Sequence, residues 1–157
     1  MTTVELPSLS ATAALGARLA RLLADGDVIG LRGDLGAGKT TLVQTIARGL
    51  GVPDAVPVTS PTFTLHQIYP GGRLVVHHLD LYRVETEGDL LSLGLDDLLG
   101  REGVALVEWF DRLGPRAPSD VLRLRLDLTG EESRRAQICA DGPRSKAILR
   151  ALASYRR

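Results

Sequence analysis

Residues Gly33 to Thr40 read Gly-Asp-Leu-Gly-Ala-Gly-Lys-Thr, a full match to the pattern G-x-x-x-x-G-K-[ST]. That pattern requires a strand before it and a helix after it. Gly33, Gly36 and Gly38 let the backbone curl with its N–H groups inward. With the N-terminus of the following helix, these donors form a nest for phosphate oxygens. Lys39 supplies a mobile positive charge to β- and γ-phosphates, and Thr40 supplies a hydroxyl to Mg²⁺. The ligand class implied is a nucleoside polyphosphate with magnesium. The flanks agree. Asp27-Val28-Ile29-Gly30-Leu31 is a short apolar run, and Thr40 to Leu50 carries Leu42, Ile46 and Leu50 at helical spacing, with Gly51 placed to end the helix.

A chain of 157 residues with 44% hydrophobic content suits one domain spanning 1–157 with a substantial core. No run approaches the roughly 20 apolar residues of a membrane span. The N-terminal stretch Met-Thr-Thr-Val-Glu-Leu-Pro lacks the basic and apolar regions of a signal peptide, and Cys139 is the single cysteine. A cytoplasmic protein with no membrane partner is therefore expected. Net charge is zero, which argues against a dedicated nucleic-acid binder. The charge is uneven: residues 1–119 hold 10 basic and 14 acidic side chains, residues 120–157 hold 9 and 5. The basic tail reads either as a solvated helix face or as a surface for RNA or an acidic partner. Only two lysines, Lys39 and Lys146, stand beside 17 arginines, and one of the two occupies the motif.

Along the chain, Ser10 is expected to N-cap a helix over 11–24, with Leu15, Leu19, Leu22 and Leu23 on one face. Residues 51–61 form an irregular connection with three prolines. Thr62 to Tyr69 and Arg73 to Leu79 read as a hairpin around Pro70-Gly71-Gly72. Asp89 to Leu99 reads as a helix and Gly103 to Val107 as a buried strand. Val121 to Leu128 alternates leucine with charge and reads as a half-exposed, antiparallel strand. A weaker strand over Arg134 to Ala140 and a helix over Ser145 to Tyr155 follow. These elements imply an α/β, P-loop NTPase-like three-layer domain, with a mixed, mainly parallel central sheet and an antiparallel edge.

A phosphate loop alone does not say what becomes of the nucleotide. Glu108 ends an apolar strand, where ligands bind in open α/β sheets, and is the first candidate for the metal. Asp80, in His78-Leu79-Asp80-Leu81-Tyr82-Arg83, closes another strand. It is the candidate for orienting or deprotonating an attacking water. Both carboxylates are expected within about 10 Å of the Thr40 hydroxyl, the reach of a magnesium and one water shell. His77 and His78, adjacent in a strand, point to opposite faces, so a structural hydrogen bond is the expectation for His78. Ser60 and Thr62, on a loop after the phosphate-loop helix, read either as a switch sensing the γ-phosphate or as hydroxyls capping their own backbone. Trp109 reads as a core indole or a functional one.

Taken in order, Gly33 to Thr41, then Ser60-Pro61-Thr62-Phe63-Thr64-Leu65, then His78 to Arg83, then Val107-Glu108-Trp109, these landmarks make the chain resemble the TsaE family, formerly YjeE. Those are small bacterial ATPases of tRNA threonylcarbamoyladenosine synthesis. The match runs from about Leu6 to Arg135. The resemblance implies that Gly33, Asp34, Leu35, Gly36, Ala37, Gly38, Lys39, Thr40 and Thr41 bind ATP, with Lys39 and Asp80 catalytic. It implies that Thr40 and Glu108 serve Mg²⁺ and that Trp109 is functionally important. It further implies nucleotide contacts near Leu9 to Thr12, just after Trp109 at Asp111, and near Ser133 and Arg134. The sequence departs from the family after Glu-Trp, where Phe110 stands in place of a frequent proline. The implied partners are TsaD and TsaB, which act at adenosine 37 of ANN-decoding tRNAs, so that tRNA is met indirectly through the complex.

Two other readings are compatible with the loop. One is a small-molecule kinase, for which only Arg112 and Arg116 stand close enough to a loop to act as an arginine lid. The other is an ATP-dependent interaction module with negligible turnover alone. No Asn-Lys-x-Asp segment is present to read guanine.

Overall fold

The computed structural model describes residues 1–154. In chain order its elements are β1 (Thr2–Leu6), α1 (Leu9–Leu22), β2 (Val28–Arg32), α2 (Lys39–Gly49), β3 (His66–Tyr69), β4 (Val76–Asp80), α3 (Glu87–Leu91) and α4 (Leu95–Leu98). Next come β5 (Val104–Glu108), a 3₁₀ segment (Phe110–Arg116), β6 (Leu122–Leu128), β7 (Arg134–Ala140) and α5 (Pro143–Ser154). The seven strands form one sheet in the order β1-β7-β6-β2-β5-β4-β3. The four central strands, β6, β2, β5 and β4, are mutually parallel. Antiparallel pairs close both edges: β7 and β1 on one side, β3 on the other.

Central position explains composition. All five residues of β5 are buried, as are the first four of β2, so both read as continuous apolar runs, as strands covered on two faces do. One face of the sheet is covered by α1, α2 and α5, whose Leu15, Leu19, Leu42, Ile46 and Ile148 join the larger hydrophobic cluster. The other face is covered by the short α3, α4 and the 3₁₀ segment, through Leu90, Leu95, Phe110 and Leu113. Helical cover of both faces, as expected, is thus achieved unequally. Among the described residues no helix is long and apolar enough to cross a membrane.

Gly30, in the middle of β2, is required for this second face. A Cβ there would stand 2.4 Å from Phe110 Cγ. Phe110 follows Glu108-Trp109 directly, so its packing on β2 also holds the end of β5 in place. Gly30→Val is expected to destabilise the fold by about 1–3 kcal/mol through overpacking, read as a lowered midpoint in thermal unfolding.

Several local expectations need correction. Helix α1 begins earlier, at Leu9, and its cap is Ser8, whose Oγ accepts from Ala11 N at 3.1 Å; Ser10 lies exposed inside the first turn. Strand β1 was not anticipated. The stretch Thr62 to Leu65 is a turn, closed by Leu65 N donating to Pro61 O at 2.7 Å, and the strand proper starts at His66. The expected helix over 89–99 is two short helices separated by Gly94 at φ 66°. Strand β6 pairs antiparallel with β7 but parallel with β2, because it is where the sheet changes direction. Helix α5 is described to Ser154, and the expected Tyr155 lies outside the described residues.

The basic tail is largely occupied with the protein itself. Arg144 clamps Asp27 through Nε at 2.9 Å and Nη2 at 2.9 Å, and this pairing holds its guanidinium above its usual range. Arg135 pairs with Glu5, Arg123 with Asp141 and Arg125 with Asp127.

Candidate functional site

The glycine loop runs from the end of β2 into α2. Gly33, Gly36 and Gly38 all have positive φ, at 147°, 82° and 100°. At Gly33 a side chain is excluded twice over, since its Cβ would also meet Leu126 O of β6 at 2.5 Å. The loop thus lies against the sheet edge, with the first amides of α2, which have no partner within a helix, at its mouth. Lys39 folds back over the loop: its Nζ donates to Gly33 O at 2.5 Å and Asp34 O at 2.9 Å. From the far side Arg134 Nε donates to Ala37 O at 2.9 Å, bracing the loop from β7.

The two acids arrive by strand register. β4 and β5 are parallel neighbours in which Asp80 stands opposite Glu108, and both strands end there. Glu108 Oε1 accepts from the Thr40 hydroxyl at 2.9 Å. Its Oε2 lies 2.6 Å from His78 Nε2. Asp80 Oδ2 accepts from the hydroxyls of Ser60 and Thr62, the latter at 3.1 Å. Asp80 Oδ1 accepts from Tyr82 N at 3.0 Å. The turn over 62–65 that interrupts the expected strand is what brings Thr62 to Asp80. Ser60 and Thr62 therefore bond a carboxylate across the site rather than their own backbone.

Lys39, Asp80 and Glu108 are three charged side chains, each at most 5% exposed, in one cleft. Burial pushes the Lys39 ammonium below its ordinary value, while Glu108, Asp80, Asp34 and Asp111 pull it back up. Trp109 adopts a left-handed backbone at φ 56°, uncommon for a residue with a side chain. That turn lays its ring beside Tyr82, at 5.0 Å between centroids, and under Lys39 Nζ at 4.5 Å. The indole is half-buried at the mouth of the site and is not part of the core proper. Arg112 approaches the same ring at 5.8 Å.

A cavity of about 350 Å³ is lined by Leu35, Gly36, Gly38, Lys39, Thr40, Thr41, Ser60, Thr62, Asp80, Tyr82, Glu108, Trp109 and Arg134. Most residues singled out from sequence converge there. Leu9, Thr12, Asp111 and Ser133 do not line it. Leu9 is half exposed at the start of α1, and Thr12 is buried with its hydroxyl 3.5 Å from Ser8 O. Ser133 accepts from the Thr129 hydroxyl at 2.9 Å. Asp111 lines a neighbouring cavity with Arg32 and Arg123. Arg116 is paired with Glu87 at 2.7 Å, on the far side of the 3₁₀ segment. Two aromatic residues were missed by sequence reasoning, Tyr82 and Tyr69. Tyr82 stands in a segment already singled out. Tyr69 could have been found from the hairpin, since its strand alternation puts it on the face that also carries His78. His77 turns to the other face, where its Nδ1 meets His66 Nε2 at 3.2 Å.

Comparison with known proteins agrees with this arrangement. The family model "Threonylcarbamoyl adenosine biosynthesis protein TsaE" matches residues 6–137. A tRNA threonylcarbamoyladenosine biosynthesis protein TsaE from Nostoc sp. is 44% identical over 142 residues, 88% of this chain and 85% of its own length. A protein of the same name from Bacillus subtilis is 37% identical over 144 residues, 92% of this chain and 89% of its own. The crystal structure of Bacillus subtilis YdiB superposes with a TM-score of 0.85 at 30% identity, covering 99% of this chain and 96% of that one. A glycine loop with two strand-end acids, a P-loop-type fold and matches of this extent lead to one conclusion: the chain belongs to the TsaE family.

Proposed function

We propose that this protein is the ATP-binding and hydrolysing subunit that supports TsaD and TsaB in forming threonylcarbamoyladenosine on tRNA, acting in the cytoplasm. The relatives it matches carry that biosynthetic role in their names. The observation that carries the enzymatic part is the Thr40 hydroxyl held on Glu108 Oε1, with Asp80 beside it in register, under a glycine loop.

The donor set fits magnesium. Thr40 and Glu108 offer a hydroxyl and a carboxylate, both hard oxygen ligands. Magnesium is ordinarily held by one or two such groups plus phosphates and waters. Among the described residues no group of three or more His, Cys, Asp or Glu is arranged to hold a metal, so the ion would arrive with its nucleotide. Held by Thr40 and Glu108, it would supply positive charge to offset the charge on the phosphates.

The chain's own residues do the rest. The loop amides and α2 N-terminus receive phosphate oxygens, and Lys39 exchanges the carbonyls of Gly33 and Asp34 for them. Asp80 orients or deprotonates water. A carboxylate offers about four acceptor positions; Ser60 and Thr62 occupy Oδ2, and Tyr82 N occupies one on Oδ1. The remaining position on Oδ1 is the one open to water. Ser60 and Thr62 form the switch, since a hydroxyl drawn to a γ-phosphate or its metal would release Asp80. Trp109, at the mouth with Lys39 Nζ over its ring, is the group presented to partners.

Glu108→Gln is expected to raise the magnesium concentration for half-maximal ATP hydrolysis by about tenfold or more, with metal-free nucleotide binding unchanged. An unshifted magnesium curve would remove Glu108 from the metal. The whole reading is tested by the ATPase rate with and without purified TsaD and TsaB, run beside a panel of small phosphate acceptors. Stimulation by the partners with no acceptor phosphorylated supports it. A phosphorylated acceptor would assign the chain to kinases, and ATP-dependent association without turnover would assign it to binding modules.

A further inference from the structure

Behind the metal carboxylate the structure holds a chain of hydrogen bonds for which ATP binding and hydrolysis, as described above, have no use. Glu108 Oε2 lies 2.6 Å from His78 Nε2. The other ring nitrogen, Nδ1, lies 2.9 Å from the Tyr69 hydroxyl. That hydroxyl donates in turn to Thr59 O at 2.8 Å. His78 is wholly buried and Tyr69 is 1% exposed. These are interior polar groups beneath α2, each matched to a partner.

The direction of the bonds can be worked out. Burial raises the Tyr69 hydroxyl above its ordinary value, so it keeps its proton. It has one hydrogen, given to Thr59 O. The hydroxyl oxygen is then left to accept from Nδ1–H, which holds the plane of the ring. Held from behind, the ring presents Nε2 to Glu108 Oε2. This leaves Oε1 aimed at Thr40. Partners that hold a ligand's free atom in this way set the orientation of metal-binding side chains.

Thr59 gives the chain a second end. It stands between Val58, whose carbonyl accepts from Gln44 Nε2 at 2.8 Å, and Ser60, bonded to Asp80. A displacement of Ser60 therefore pulls on the carbonyl that anchors Tyr69.

The geometry points to His78, held by Tyr69, as the positioning residue of the Glu108 carboxylate, linking the metal ligand to the Ser60–Thr62 segment through Thr59. His78 does not line the cavity itself. The inference rests on the reading of Glu108 as a magnesium ligand.

The experiment is a titration of Mg²⁺ into the full-length protein carrying a fluorescent ATP analogue. The affinity for the analogue is measured separately in EDTA, and folding is followed by thermal melting. His78→Leu is expected to weaken the Mg²⁺ midpoint roughly 10- to 100-fold, the usual cost of losing such a partner, with analogue affinity in EDTA within about twofold of wild type. His78→Gln, whose amide can reach Glu108, is expected to recover part of the loss. Tyr69→Phe is expected to weaken the midpoint by less than His78→Leu, because the bond to Glu108 survives while its anchor is lost. A folded His78→Leu protein with the wild-type midpoint overturns the inference. If His78→Leu does not fold, a wild-type midpoint for Tyr69→Phe overturns it. A Glu108→Gln protein with the wild-type Mg²⁺ midpoint overturns the metal reading itself, and so is told apart from a failure of His78.

Discussion

Lys39→Ala is expected to cost ATP binding roughly 10- to 100-fold, the equivalent of the 1.5–3 kcal/mol usual for a hydrogen bond to a charged group, and to leave hydrolysis undetectable. Lys39 is 5% exposed, and among the described residues its hydrogen-bond partners are the carbonyls of Gly33 and Asp34. Among the described residues that line the cavity, the other cation is Arg134, and its guanidinium is tied to Ala37 O. Lys39→Arg is expected to fail as well. A planar guanidinium is wider than an ammonium, and the space is bounded by two carbonyls and the Trp109 ring 4.5 Å away. Calorimetry with ATP, beside a melting curve that shows an intact fold, checks both variants. Wild-type affinity and turnover in Lys39→Ala would end the phosphate-loop reading.

Asp80→Asn is expected to keep ATP bound and lower partner-stimulated turnover by about 10²- to 10⁴-fold, the range for a lost general base. The substitution is nearly isosteric: the amide oxygen can still accept from Tyr82 N, and the amide NH2 can donate to the Ser60 and Thr62 hydroxyls, which turn to accept, while the charge is gone. Asp80 also acts on Lys39 through its charge, raising the ammonium's proton affinity against burial. The asparagine variant therefore tests chemistry in a site whose shape is kept. Single-turnover and steady-state rates separate the effect on the chemical step from any effect on product release. Unchanged partner-stimulated hydrolysis would remove Asp80 from the mechanism.

How far the sequence could be read follows from the range of each signal. The glycine loop and its flanks are a local pattern, and β2, the loop and α2 appear where the residues place them. Glu108 and Asp80 were legible because apolar runs end at each, and parallel neighbours in register bring two strand ends together without further information. What failed depended on tertiary contact. Thr62 to Leu65 has the composition of a strand, yet two hydroxyl bonds to Asp80 hold it as a turn. Strand β1 is five residues of weak alternation whose partner, β7, lies near the opposite end of the chain. The helix over 89–99 looked continuous because leucine spacing does not register a left-handed glycine at 94. The Tyr69–His78–Glu108 bonds need the hairpin register and the β4–β5 pairing at once, and no single segment carries both. Of the positions carried over by resemblance alone, Arg134 meets the loop, while Leu9, Thr12, Asp111 and Ser133 lie off the cavity lining.

ATP turnover at this site is proposed to serve tRNA modification. The most direct measurement is multiple-turnover formation of threonylcarbamoyladenosine on tRNA by purified TsaD and TsaB, with ATP and Mg²⁺, in the presence of wild-type or Asp80→Asn protein. Sustained product formation is expected with the wild type and early arrest with Asp80→Asn. Equal sustained formation with both proteins, or with neither added, would contradict it.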